Sequence, residues 1–325
     1  MSFTQPPLAA PRLHRTELAV PGIRTELFEK AARGAADVVF LDLEDSVAPD
    51  DKEKARKNVI AAINEIDWGV KTLSVRVNGM DTHWTYRDIV EVLEACPRVD
   101  LLLVPKVGVA ADVYALDWLV TQIETAQHRT KRIGFELQIE SALGLTNAEA
   151  IAAASTRNEA LCYGGGDFAA SIQARYVDIG RQHPDYGVLG EPDAAGARAF
   201  HPGDQWHAVQ ARVVAAARAH GLRPIDSPYA DFKDGAGFEA STRRAAAVGF
   251  EGRMMIHPSQ VAVANRIFSP APEEVARARR IVAALAEAAR TGRGAVTLDG
   301  RMIDAANIRM AEHLLAKADA IQSRA

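Results

Sequence analysis

Eight short runs of apolar and β-branched residues recur along this chain, most of them followed by a stretch of helical periodicity. The runs are Glu17–Gly22, Val38–Asp45, Thr72–Gly79, Leu101–Val107, Arg132–Glu140, Ala160–Asp167, Leu222–Tyr229 and Arg253–Pro258. Strands of a parallel sheet are buried on both faces and read as continuous apolar runs rather than alternating ones. Between them lie amphipathic patterns at Lys52–Ile66, Thr85–Ala95, Asp112–Thr125, Asn147–Ala154, Trp206–His220 and Gly237–Val248. Eight strands alternating with helices predict an α/β fold closed as a (β/α)₈ TIM barrel.

Two regions depart from this rhythm. Ser171–Gly203 is rich in Gly, Pro and Asp and too long for a plain connection, so it is expected to be a loop over the barrel mouth. After the eighth strand come a helix at Pro272–Arg290, a hairpin at Ala295–Ile303 turning on Asp299-Gly300, and a last helix from Asp304 to about Ser323. The expected division is a barrel domain, residues 1–270, and a C-terminal helical and hairpin extension, residues 271–325. A length of 325 residues suits one barrel with an appendage.

Composition removes several classes of function. Apolar residues make up 48% and charged residues 25%, which supports a packed core and not a disordered chain. The net charge is -4 with no basic stripe, so nucleic acid is not an expected partner. Cys96 and Cys162 lie far apart, which gives neither a disulfide framework nor zinc spacing and fits a reducing compartment. Residues 1–13 lack the apolar stretch of a secretory signal, and no run nears the roughly 20 residues that span a bilayer. A cytoplasmic enzyme with no membrane association is the expectation.

The polar residues gather at strand ends. The second run ends in Asp42, Glu44 and Asp45, the third in Arg76 and Asn78, and the fourth in Lys106. The fifth ends in Glu140, the sixth in Asp167, the seventh in Asp226 and the eighth in His257. Barrel enzymes carry their chemistry at the C-terminal ends of the strands, and charge there is costly unless paired or used. Glu140 and Asp167, on neighbouring strands, can share a hard cation such as Mg²⁺, or each can cap a helix or pair with an arginine. Arg76 offers a planar fork for a carboxylate or oxyanion, or a buried ion pair with Glu44 or Asp45. Gly164-Gly165-Gly166 lets a ligand approach free backbone N–H groups, though such a run is more often a bend. Lys106 reads either as a Schiff-base lysine or as a salt bridge to Glu44 or Asp45. His257 reads as a base or as a shaper of its loop, and Asp304 as the N-cap of the last helix.

Eight blocks carry a resemblance. They are HRTELAVPG (14–22), VFLDLEDSVAPDDKEKAR (39–56), SVRVNGMDT (74–82), VPKVG (104–108), GFELQIESALG (134–144), YGGGDFAAS (163–171), IHPSQV (256–261) and DGRMID (299–304). In this order, over nearly the whole chain, they resemble the HpcH/HpaI aldolase and citrate lyase β-subunit superfamily, and within it most closely the L-malyl-CoA/β-methylmalyl-CoA lyases. The likeness is weakest over Ile172–Gly203.

The resemblance implies a barrel with a C-terminal extension, assembled as trimers or hexamers. It implies Mg²⁺, with Mn²⁺ as an alternative, held by Glu140 and Asp167. It implies Arg76 as the substrate-binding arginine, and the N–H groups of Gly166 and Asp167 as the cradle of an oxoacid carboxylate. Asp304 corresponds to an aspartate that reaches a neighbouring subunit's active site, where the extension acts as a cap. CoA is expected along the loop after the first strand, near Arg24 and Lys30, with His257 and Pro258 in the same neighbourhood. The implied reaction is Mg²⁺-dependent cleavage, or formation by Claisen condensation, of a 3-hydroxyacyl-CoA such as L-malyl-CoA, giving acetyl-CoA and glyoxylate. Asp304 is then the acid and base at the thioester α-carbon. The alternatives are a citramalyl-CoA lyase, a malyl-CoA thioesterase, and a subunit of a multi-protein citrate lyase.

Overall fold

The computed structural model describes residues 6–175, 178–290 and 295–324. The chain divides into two compact units, Met1–Ala264 and Asn265–Ala325.

In the first unit, eight parallel strands close into a barrel. They are β1 (Thr16–Pro21), β2 (Val38–Asp42), β3 (Thr72–Arg76), β4 (Leu101–Val104), β5 (Gly134–Ile139), β6 (Asn158–Tyr163), β9 (Arg223–Asp226) and β10 (Gly252–Met255). The barrel order is β1-β10-β9-β6-β5-β4-β3-β2, and each of the eight apolar runs supplies one strand. The connections carry α1 (Phe28–Arg33), α2 (Lys52–Glu65), α3 (Thr85–Ala95), α4 (Ala110–Ala126), α5 (Ala142–Thr146), α6 (Ala148–Ala153), α7 (Gly165–Ser171), α8 (His207–Ala219) and α9 (Gly235–Val248). Local chemistry sets several helix ends. Asp234 accepts from Gly237 N–H at the head of α9, and Gly249, with φ 117, ends it in the left-handed conformation that glycine adopts without strain.

The middle of the barrel is apolar. Phe40, Leu103, Ala160, Cys162, Ile225 and Met254 form one fully buried cluster, with Ala19 packed against it. Burying a side chain such as Leu103 contributes about 1.5–3 kcal/mol. This layer lies between two polar ones, which are described below.

The long segment after α7 is not structureless. It contains an antiparallel hairpin, β7 (Gly187–Pro192) and β8 (Arg198–Pro202). The turn is built by Asp193, whose carboxylate accepts from the N–H of Ala195 and Ala197, and by Gly196 at φ 79. Both strands are almost wholly exposed, so no inward–outward alternation marked them in the sequence.

The division between the units falls within α10 (Val261–Phe268), so the second unit begins in that helix. It holds α11 (Pro272–Arg290), a hairpin of β11 (Val296–Leu298) and β12 (Arg301–Ile303), and α12 (Ala305–Gln322), which packs on α11. The hairpin turns on Asp299 at φ 51 and Gly300 at φ 72, the pair of positive φ values that a tight type I′ turn requires.

Candidate active site

At the C-terminal end of the barrel, β2 and β3 place Asp42 and Arg76 side by side in register. Arg76 grips Asp42 with two hydrogen bonds, Nε to Oδ1 and Nη2 to Oδ2, both 2.7 Å. Its Nη1 edge faces Glu44 at 3.2 Å and the exposed Asp45 at 3.5 Å. Burial alone raises the Asp42 carboxyl, but Arg76, Ser46 and the Glu44 N–H outweigh it and hold Asp42 below the usual carboxylate range. Arg76 is thus an ion-paired arginine first of all. Its main partner is Asp42 and not only the Glu44 and Asp45 named from sequence. The loop beyond β2 is held from behind: Lys52 donates to the carbonyls of Leu43 and Glu44, each at 2.7 Å.

The end of β4 adds Lys106, whose Nζ donates to Glu44 Oε1 at 2.8 Å. Desolvation opposes its charge, yet Glu44, Asp45 and Asp167 raise the ammonium above its usual range. A Schiff-base lysine must shed its proton to attack a carbonyl, so this environment favours the ion pair and disfavours the nucleophile. The main-chain N–H of Lys106 donates to Glu140 Oε1 at 2.8 Å, and Gln138 Nε2 donates to Glu140 Oε2 at 3.2 Å. Glu140 is 3% exposed. Burial first, then the charges of Glu44 and Asp167, push its carboxyl up to about 8. Among the described residues two neutral donors hold this carboxylate and no cation forms an ion pair with it, Arg76 acting on it only at longer range. A Cβ on Gly164 would collide with its side chain, so glycine is required beside it.

Asp167 sits in the first turn of α7 and is exposed, with no hydrogen bond to its carboxylate among the described residues. Gly165 N–H is taken by Ser227 Oγ at 3.0 Å, while Gly166 borders a cavity of about 420 Å³ with Tyr163, Ile179, Trp206 and Arg244. The glycine run thus opens a helix and is not a plain bend. Ile179 and Gly180, from the segment before the β7–β8 hairpin, help wall this cavity.

Other rim residues are committed elsewhere. Asn78 bonds Asp88 through both N–H and Nδ2, and Asp88 pairs with Arg56. Asp226 accepts from Gln210 and faces the buried Arg253 at 3.5 Å. His257 precedes Pro258 and a 3₁₀ turn, accepts from Ser259 N–H, and stacks on Phe232 with centroids 4.4 Å apart. Arg24 and Lys30 are exposed beyond β1, with Arg24 paired to Glu26. In the second unit, Asp304 caps α12: its Oδ1 accepts from Ala306 and Asn307 N–H.

One polar cluster was not anticipated. His14 Nε2 lies 3.3 Å from both Glu17 and Glu136, and Ser74 Oγ donates to Glu136 at 2.8 Å. Glu17 is on β1, Ser74 on β3 and Glu136 on β5, alternate strands of one barrel layer. All are fully buried. Burial raises Glu17 to about 7 and Glu136 to about 8, while it lowers His14. The available signal was period two on β5, where Glu136, Gln138 and Glu140 share the inward face.

The donors fit a hard cation. Glu140 is a buried carboxylate with no ion-pair partner among the described residues, Asp167 is one with no hydrogen bond among them and is electrostatically coupled to Glu140, and an all-oxygen pair suits Mg²⁺. Comparison with known proteins agrees in kind. The L-malyl-CoA/β-methylmalyl-CoA lyase of Cereibacter sphaeroides is 50% identical over 324 residues, 99% of this chain and 100% of that one. The (3S)-malyl-CoA thioesterase of the same organism is 36% identical over 310 residues, covering 94% of this chain and 95% of that one. Among solved structures, protein CitE of Mycobacterium tuberculosis in complex with magnesium, acetoacetate and coenzyme A superposes with a TM-score of 0.69 at 30% identity, covering 94% of this chain and 98% of that one. Residues 15–258, the span that carries every barrel strand and the site just described, match the HpcH/HpaI aldolase/citrate lyase family, and the chain belongs to it.

Proposed function

We propose that this protein is a Mg²⁺-dependent carbon–carbon lyase of 3-hydroxyacyl-CoA thioesters, with L-malyl-CoA as its substrate. The observation that carries this reading is Glu140, a buried carboxylate with no ion-pair partner among the described residues, set near Asp167, Arg76 and the glycine turn of α7. A lyase that is 50% identical end to end supports the choice of substrate.

Glu140 and Asp167 would hold the ion, which supplies Lewis acidity to the hydroxyl and carboxylate oxygens of the substrate. Asp42 fixes the plane of Arg76 and leaves its Nη1 edge, which rests on Glu44 and the exposed Asp45, to meet oxyanion charge. The first-turn N–H groups of Gly166 and Asp167 are assigned to a substrate carboxylate. In cleavage, the bond between the thioester α-carbon and the carbinol carbon breaks. The substrate hydroxyl gives up its proton to water at the barrel mouth as the carbinol becomes the oxoacid carbonyl, and the electron pair of the broken bond passes to a thioester enolate, which takes up a proton at its α-carbon. We assign that proton to Asp304 of a second copy in a homotrimer or homohexamer. Its Oδ1 serves as the α12 cap, which leaves Oδ2 for proton exchange. CoA is assigned to the first βα loop with Arg24 and Lys30, and to His257 and Pro258. No helix of the described residues is long and apolar enough to cross a membrane.

The test is a coupled assay of purified protein with Mg²⁺ and L-malyl-CoA. Acetyl-CoA and glyoxylate that vanish with a chelator support the lyase. Free CoA with malate would make the protein a thioesterase, as the 36% identical relative is named. Activity on citramalyl-CoA alone would move the substrate and keep the site.

A further inference from the structure

Lys106 adopts φ 56, the left-handed region that a long side chain rarely enters. Such a conformation persists where its surroundings over-determine it. Here they do. Pro105 precedes it, the N–H groups of Gly108 and Val109 both bind the Asp112 carboxylate, and the Gly108 carbonyl accepts from Asn147. The segment is therefore pinned after the strained residue by these bonds and before it by the pairing of β4 with β5, which ends at Val104 and Leu137. What the strained turn achieves is direction: it points the Lys106 N–H at Glu140 Oε1, 2.8 Å away, while the ammonium swings to Glu44. The other donor to Glu140, from Gln138, is longer at 3.2 Å and reaches the opposite oxygen.

We propose that Lys106 is a positioning residue of the metal centre, and that its main chain, not its ammonium, aims Glu140. This rests on the reading that Glu140 holds the ion. Partners in the outer shell of a metal site govern ligand orientation, and losing one costs about 10–100-fold in affinity. The backbone donor survives any substitution that tolerates the left-handed region and is displaced by one that does not. Asparagine enters that region readily, whereas a β-branched residue there is a genuine outlier.

The experiment is calorimetric titration of Mg²⁺ into the wild type, Lys106→Asn, Lys106→Val and Glu140→Ala at one pH, with thermal midpoints alongside. Both Lys106 variants lose the ammonium, so only the backbone separates them. Lys106→Asn should bind Mg²⁺ within about twofold of wild type, and Lys106→Val should bind about tenfold more weakly or worse. Equal weakening in the two variants would assign the role to the ammonium and overturn the proposal. So would an unchanged affinity in Lys106→Val. Should Lys106→Val fail to fold, Lys106→Asn decides alone: a tenfold loss there refutes the main-chain role. A wild type that binds no Mg²⁺ through Glu140 would remove the metal reading and this inference with it, a different result from equal affinities in all Lys106 variants.

Discussion

Replacing Glu136 by Gln should make the protein more stable as the pH rises, relative to wild type. Glu136 is fully buried in the cluster with His14, Glu17 and Ser74, and burial, with the charge of Glu17, raises its carboxyl from 4.5 to about 8. The native state therefore holds a proton there that the unfolded chain gives up above about pH 4.5. A raised carboxyl has its stability intact below the unfolded pKa, loses it progressively through the window from 4.5 to 8, and loses no more above. Each pH unit inside that window costs about 1.4 kcal/mol per retained proton. Between about pH 5.5 and about pH 7.5 the wild type should lose on the order of 2–3 kcal/mol through this group. Glutamine cannot ionise, and its carbonyl can still accept from Ser74. Urea unfolding at several pH values, read as the difference between variant and wild type, isolates the group from the other carboxylates. The difference should grow with pH in favour of the variant. Parallel curves would show that Glu136 titrates in the ordinary range and that the cluster holds no extra proton.

Four further outcomes follow from the site and the core. Glu140→Ala and Asp167→Ala should each abolish calorimetric Mg²⁺ binding and lower turnover about a thousandfold or more. Asp304→Asn keeps a good N-cap, so it should leave the thermal midpoint and Mg²⁺ affinity in place while lowering turnover about 10²–10⁴-fold; full activity would remove it from the mechanism. Arg76→Lys loses the two-pronged grip on Asp42 and should destabilise by about 1–3 kcal/mol in urea unfolding, together with a loss of activity. Leu103→Ala, in the apolar layer, should cost about 2–5 kcal/mol in the same measurement without changing Mg²⁺ affinity.

The barrel was legible because parallel strands covered on both sides announce themselves as apolar runs, and because charge at the end of such a strand is costly unless a partner neutralises it or a site uses it. Glu140 and Asp167 were visible on that ground. Arg76 was visible too, but its partner was not, because the choice among Asp42, Glu44 and Asp45 depends on strand register, which places Asp42 beside it. Lys106 left two readings open, and only the geometry of Glu44 separates them. Glu17 and Glu136 were not legible because they lie within strands whose neighbours are apolar, and only the parity shared with Glu140 marks Glu136 as inward-facing. The β7–β8 hairpin was not legible for the opposite reason, since strands exposed on both faces carry no alternation.

The apolar layer across the barrel has a consequence of its own. It separates the hydrogen-bonding groups of two polar clusters, with Glu17 and Glu136 on one side and Glu140 on the other, while charge still acts across it, since Arg76 at the mouth lowers the Glu17 carboxyl that burial raises. The Cys162 thiol, fully buried within the layer, senses all three. Gln138, the polar side chain of β5 between Glu136 and Glu140, donates to Glu140 and carries no titratable proton, so it gives protons exchanged on the floor no relay to the mouth. The layer therefore blocks proton exchange between the two clusters without shielding either from the charge of the other. A hydroxyl or an ordered water introduced at Cys162 or Ala160 would supply the missing hydrogen-bonding link and open a path for proton exchange between the two sides.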